Sequence, residues 1–128
     1  MLLDLIVLPS TFAVVRLAPD SDIPKWLSGE LVSITRTSAE LSIVCPVSSV
    51  PRDIQVAITW KCLKVVGPLD FSLVGVLQAL IDPLVARQIS VFTISTWDTD
   101  YLLVDSRSLS DALAALCEAG HRLKETGT

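Results

Sequence analysis

Residues 91–104, VFTISTWDTDYLLV, decide how this chain is read. Two apolar runs rich in β-branched and aromatic residues flank a polar corner, Ser95-Thr96-Trp97-Asp98-Thr99-Asp100. That pattern predicts two strands, Ile89–Thr96 and Tyr101–Asp105, joined by a tight turn. Upstream, GPLDFSLVGVL at Gly67–Leu77 is a second cue. Gly67-Pro68 stops a strand over Trp60–Val66, and a helix is expected to begin on Asp70-Phe71-Ser72 and run to about Arg87. Leu73, Leu77, Leu80 and Leu84 form its apolar stripe, with Val74, Ile81 and Val85 beside it. Pro83 falls inside that pattern and predicts a kink, or a restart capped by Asp82.

Downstream, a helix over Leu109–Ala119 is expected to be capped by Ser108, with Asp111 in its first turn and Gly120 as its stop. His121 reads as a surface or C-cap residue, followed by a last short strand over His121–Leu123. Toward the N-terminus, Leu3–Leu8 and Phe12–Leu17 read as two strands broken by Pro9-Ser10-Thr11. Asp22 and Pro24 suggest the start of a short helix ending near Ser28-Gly29. Glu30–Thr37 and Glu40–Cys45 read as a hairpin, Pro46–Asp53 as a boundary, and Ile54–Ile58 as a further strand. The element order is β-β-α-β-β, a linker, then β-α-β-β-α-(β), an α+β class with helices packed on antiparallel sheets.

The corner and the Gly67–Leu77 segment together resemble the ACT domain, a ferredoxin-like βαββαβ module. More narrowly they resemble the tandem-ACT proteins and CASTOR-type arginine sensors, with a weaker likeness over SITRTSAELSIVCP. The resemblance implies two ACT-like units: an abbreviated N-terminal one over residues 1–57 and a C-terminal ACT domain over residues 58–128. It also implies a non-enzymatic regulatory or sensor protein that holds a free amino acid, or a similar small zwitterion, at an interface between units. Carried over by motif, the ligand-binding candidates are Ile94, Ser95, Thr96 and Asp100, with Leu73–Leu77 opposite.

The residues themselves suit such a ligand. A helix start over Asp70, Ser72, Leu73, Val74 and Gly75 would offer unpaired N–H groups to a carboxylate. Asp98 and Asp100 could accept from an ammonium or guanidinium, and Trp97 could stack on a cation. Each residue also has a plainer use. Asp70 or Ser72 could cap the helix, Gly75 could ease packing, and Trp97–Asp100 is good hairpin-turn chemistry.

Composition narrows the alternatives. The chain has 128 residues, 51% of them hydrophobic, a net charge of −4, one histidine and ten scattered Lys and Arg residues. With no basic stripe, nucleic-acid binding is not expected. No run reaches the ~20 apolar residues of a membrane span, and MLLDLIVLPSTF reads as a strand and not a leader. Cys45, Cys62 and Cys117 lack metal or disulfide spacing and read as three buried, reduced thiols of a cytoplasmic protein. No nucleotide, serine-hydrolase or zinc-protease motif is present, so no catalytic residue, cofactor or metal is expected. Such a sensor would act by shifting assembly, as a homo-oligomer, or by docking to a partner protein. Two further readings stay open: a ligand-free structural or self-association module, and a small enzyme using Asp98 and Asp100.

Overall fold

A computed structural model of the chain describes residues 1–70 and 73–124. Its strands and helices, in chain order, are β1 (Asp4–Leu17), β2 (Ser33–Arg36), β3 (Leu41–Pro46), β4 (Trp60–Val65), α1 (Val76–Ala86), β5 (Val91–Ser95), β6 (Asp100–Asp105), α2 (Leu109–Glu118) and β7 (Arg122–Leu123). The chain divides into two compact units, one made of Met1–Pro9 and the chain from Lys61 onward, the other of Ser10–Trp60.

The first unit carries β4-α1-β5-β6-α2-β7, the βαββαβ order of a ferredoxin-like module. Its strands lie in the order β7-β1-β4-β6-β5. The N-terminal part of β1 therefore stands between the last strand of the module and its first. It pairs parallel with β7, Asp4 opposite Arg122, and accepts from Val66 N–H at Asp4 O, 2.8 Å. Strands β5 and β6 run antiparallel, from Val91 opposite Val104 to Ser95 opposite Asp100.

The core forms where both periodicities point inward. Leu63 and Val65 of β4 and Leu102 and Val104 of β6 alternate onto one face of the sheet. Val76, Leu80 and Leu84 of α1, four residues apart, and Ala112, Ala115 and Leu116 of α2 cover that face. The apolar stripe of α1 thus begins at Val76. Leu73 precedes the helix and is exposed, and Leu77 is only half-buried. The expected start on Asp70-Phe71-Ser72 is corrected: Gly75, at φ 88°, is the N-cap residue.

Helix α1 runs on through Pro83 without a restart. Proline removes the N–H that would bond the carbonyl four residues back, here Ala79 O. His121 supplies the replacement: its Nε2 lies 2.9 Å from Ala79 O while Nδ1 accepts from Leu3 N–H at 3.1 Å. These partners fix the tautomer, with the proton on Nε2. His121 is 4% exposed, so the expectation of a surface residue is overturned. Cys117, expected to be buried, is exposed on α2, whereas Cys45 and Cys62 are buried as expected. Burial pushes the Cys45 thiol up from its ordinary pKa.

The second unit is a three-stranded antiparallel sheet. The C-terminal part of β1 pairs with β3 from Phe12–Pro46 to Leu17–Leu41, and β3 pairs with β2. Ala13, Val15, Leu41, Ile43 and Cys45 form its core, covered by Trp26, Leu27, Val47, Val50, Ile54 and Val56. β1 is one strand of 14 residues, not two. Pro9, exposed, lies between the stretches that pair with β7 and with β3. The short helix expected at Asp22–Gly29 is a turn, because so few residues cannot offset the cost of a helical nucleus. No α-helix occurs among the described residues of this unit, and Ile54–Ile58 packs on the core without joining a strand ladder.

Candidate functional site

In the first unit, the start of α1 and the β5–β6 corner face one another across a cavity of about 450 Å³. That volume falls within the ~300–1,000 Å³ usual for small-molecule clefts. One wall is Leu69, Asp70 and Leu73–Gln78; the other is Ser95–Asp100. The cavity therefore joins Gly75 to Asp100 directly.

Of the residues expected from sequence, Asp70, Leu73, Val74, Gly75, Ser95, Thr96, Trp97 and Asp100 line this space. Ile94 does not: it is half-buried in β5, paired with Tyr101. Ser72 lies outside the described residues. Val76 and Leu77, within the Leu73–Leu77 segment expected opposite the corner, and Asp98, expected as an acceptor, also line it, whereas Leu69, Gln78 and Thr99 line it without having been anticipated as site residues. A helix start on Gly75 would have pointed to Gln78. Nothing local marks Leu69 or Thr99.

The first wall is an open helix mouth. Val76, Leu77 and Gln78 occupy the first turn of α1, where N–H groups have no acceptor within the helix. The first turn holds no acidic residue, and its N-cap residue, Gly75, makes no side-chain capping bond. A negatively charged group is favoured there by the unpaired donors and the macrodipole together. Gly75 is required by its backbone: a Cβ there would meet nothing within 4 Å, but its positive φ excludes most other residues. This replaces the expectation that it eases packing.

The second wall is a tied corner. Ser95 Oγ donates to Asp100 Oδ1 at 2.6 Å, and Thr96 N–H donates to Thr99 O at 2.9 Å. Thr96 Oγ1 lies 3.1 Å from Thr99 O and 3.4 Å from Thr99 N. Asp70, Asp98 and Asp100 give the cavity three carboxylates, and no described lining residue is basic. Trp97, 80% exposed, and Val74, 87% exposed, stand at the rim. The corner carboxylates favour cations and the first turn of α1 favours anions, with Asp70 adding a carboxylate to the helix side. The described residues hold no metal-binding group of histidine, cysteine and carboxylate side chains. No described helix is long and apolar enough to cross a membrane.

A family model described as the ACT domain matches residues 55–118, and a second, described as an N-terminal domain, matches residues 10–53. No curated protein is significantly similar to the chain. Among solved structures, a protein of Agrobacterium tumefaciens is 38% identical over 100% of this chain and 96% of its own, with a TM-score of 0.91. A Vibrio cholerae protein of unknown function, described as a possible transport protein, is 17% identical over 88% of this chain and 85% of its own, with a TM-score of 0.74. A chain from a structure of aspartokinase α and β subunits is 15% identical over 93% of this chain and 98% of its own, with a TM-score of 0.60. The last two share the fold. The ACT match spans the helix mouth, the corner and the strands that carry them, and on that match the chain belongs to the ACT-domain family.

Proposed function

We propose that this chain is a non-enzymatic regulatory module that binds a free amino acid in the cavity between the α1 mouth and the β5–β6 corner. One observation carries the reading: a single cavity is lined both by a helix start whose N-cap residue is a glycine and by a carboxylate-bearing corner. The α-carboxylate sits at the Val76–Gln78 N–H groups. The ammonium meets Asp100 or Asp98, and the side chain lies along Leu73, Val74 and Trp97. Three carboxylates and no basic residue among the described lining favour ligands carrying an additional cationic or donor group over acidic ones. Membership of the ACT family, whose domains are regulatory, supports the same class.

The exposed rim supports a finer element of the proposal. Leu73, Val74 and Trp97 are 46, 87 and 80% exposed. Large apolar side chains gathered at a cavity mouth suit coverage by another ACT unit, which makes occupancy and association depend on one another. The same rim favours, as a second reading, a module that associates through these residues with the cavity empty.

Thermal denaturation with each of the twenty amino acids tests both. On the first reading at least one ligand raises Tm in proportion to its excess. The Asp100→Asn variant folds and loses the response. On the second, no amino acid shifts Tm at millimolar concentration, while Val74→Ser and Trp97→Ser reduce self-association in sedimentation.

A further inference from the structure

Both cavity walls converge on one buried side chain. Thr99 is 4% exposed, and its hydroxyl donates to Val65 O at the end of β4, 2.7 Å away. One residue earlier, Asp98 O accepts from Leu69 N–H at 2.7 Å. Between these bonds Gly67 lies against the corner so closely that a Cβ would stand 3.0 Å from Asp98 O and 3.2 Å from Thr99 Cβ. Residues 65–69 lead directly into the wall formed by Leu69, Asp70 and Leu73–Gln78. The segment 98–99 belongs to the other wall.

We propose that Thr99 is the positioning residue of the cavity: its bond to Val65 O, seated against Gly67, sets the gap between the helix mouth and the carboxylate corner. The inference rests on the reading of this cavity as a ligand site. A zwitterion must reach the Val76–Gln78 N–H groups and a corner carboxylate at once, so the gap sets the fit. An error of about 1 Å would break one of the two sets of hydrogen bonds, which weaken steeply with distance and angle. Thr99 needs no contact with ligand to do this. Its hydroxyl proton goes to Val65 O, and its backbone holds Thr96.

Three variants of the full chain test the assignment: Thr99→Val, Thr99→Ser and Gly67→Ala. Thr99→Val keeps shape and removes the donor, Thr99→Ser keeps the donor, and Gly67→Ala wedges the walls from the opposite side. Amide hydrogen exchange reads the tie without any ligand. Exchange at Leu69 N–H should rise on the order of tenfold in Thr99→Val and Gly67→Ala and return to the wild-type rate in Thr99→Ser. Leu116 and its neighbours in α2 should change little. No rise at Leu69, or an equal rise across the whole unit, overturns the proposal. Titration with whichever amino acid raises the wild-type Tm reads the positioning. Kd should weaken on the order of tenfold in Thr99→Val and recover in Thr99→Ser. Opened walls with unchanged Kd would also overturn it. Should none of the twenty bind the wild type, the amino-acid reading fails, and exchange at Leu69 alone decides whether Thr99 ties the walls.

Discussion

The two helices of the first unit are nearly equal in length, yet they are finished very differently. Helix α2 is complete in itself. A 3-10 turn over Ser106–Ser108 leads into it, Asp105 accepts from Arg107 N–H ahead of it, and Asp111 sits in its first turn. It ends on Gly120 at φ 101°, with His121 N–H reaching Leu116 O and Gly120 N–H reaching Cys117 O. Helix α1 differs at each corresponding place. Its first turn holds no acid, Pro83 lies in its middle, and its end places Gln88 at φ 58° in the position α2 gives to glycine. The closing bonds are the same, Ile89 N–H to Leu84 O and Gln88 N–H to Val85 O, but a side chain must tolerate the left-handed backbone. Helix α1 is thus held by its surroundings more than by its own sequence. The helix that lines the cavity has first-turn N–H groups with no acceptor within the helix, which a ligand at its mouth would satisfy.

The largest expected effect concerns the middle of α1. Removing the ring in His121→Ala leaves Ala79 O and Leu3 N–H without their partners, a loss of about 2–3 kcal/mol measured by urea unfolding. If His121 stands in for the proline's missing donor, Pro83→Ala restores an intrahelical bond to Ala79 O. His121→Ala should then cost about 1 kcal/mol less in that background. Equal costs in both backgrounds would show that His121 serves α1 in some other way. A comparable interior defect has no counterpart in α2, which contains no proline.

Next come the helix ends. Gly75→Ala should cost about 1–2 kcal/mol, because the new Cβ has open space around it and only the positive φ opposes it. It should also reduce any ligand response more than its stability loss explains, since the Val76–Gln78 donors pivot on that residue. At the other end, Gln88→Gly gives α1 the stop that α2 already has, and a gain of about 1 kcal/mol is expected. No gain in a denaturant midpoint would mean that the Gln88 side chain contributes enough to offset its backbone.

This contrast also explains what could be read from the residues in order. Gly120 as a stop, Asp111 in a first turn and the polar corner between two apolar strands are local signals, and each has its expected place. The cavity was approached through Asp70, Gly75, Ser95 and Asp100, all of which line it. The start of α1 was misplaced because Leu73 and Leu77 extend a convincing stripe with Leu80 and Leu84, and nothing nearby reveals that Gly75 turns the chain first. His121 was read as a surface or C-cap residue, and its burial was hidden because its two side-chain partners, Leu3 and Ala79, lie 118 and 42 residues away. Thr99 was invisible as a wall tie for the same reason, its acceptor Val65 being 34 residues distant. Ser108 looked like a side-chain cap and forms no capping bond; Asp105, three residues earlier, bonds the turn instead.

The smallest expected effect isolates the entrance to α2. Hydrogen bonds from the Arg107 side chain and backbone hold the Asp105 carboxyl down at about 2. A folded pKa below the unfolded value of about 3.9 stabilises the folded state once the pH exceeds that unfolded value. The contribution is lost as the pH falls through about 4 toward 2, when the folded carboxyl too is protonated. Asp105 is at the surface, so the loss is small and is weakened by salt. Asp105→Asn should flatten this part of the acid limb of Tm against pH, leaving the rest of the profile in place. The open mouth of α1 has no such carboxylate in its first turn and should gain nothing from the same titration. An unchanged acid limb in Asp105→Asn would mean that the Arg107 contacts form equally well in the unfolded chain, and that the entrance to α2 owes its order to Asp111 and packing alone.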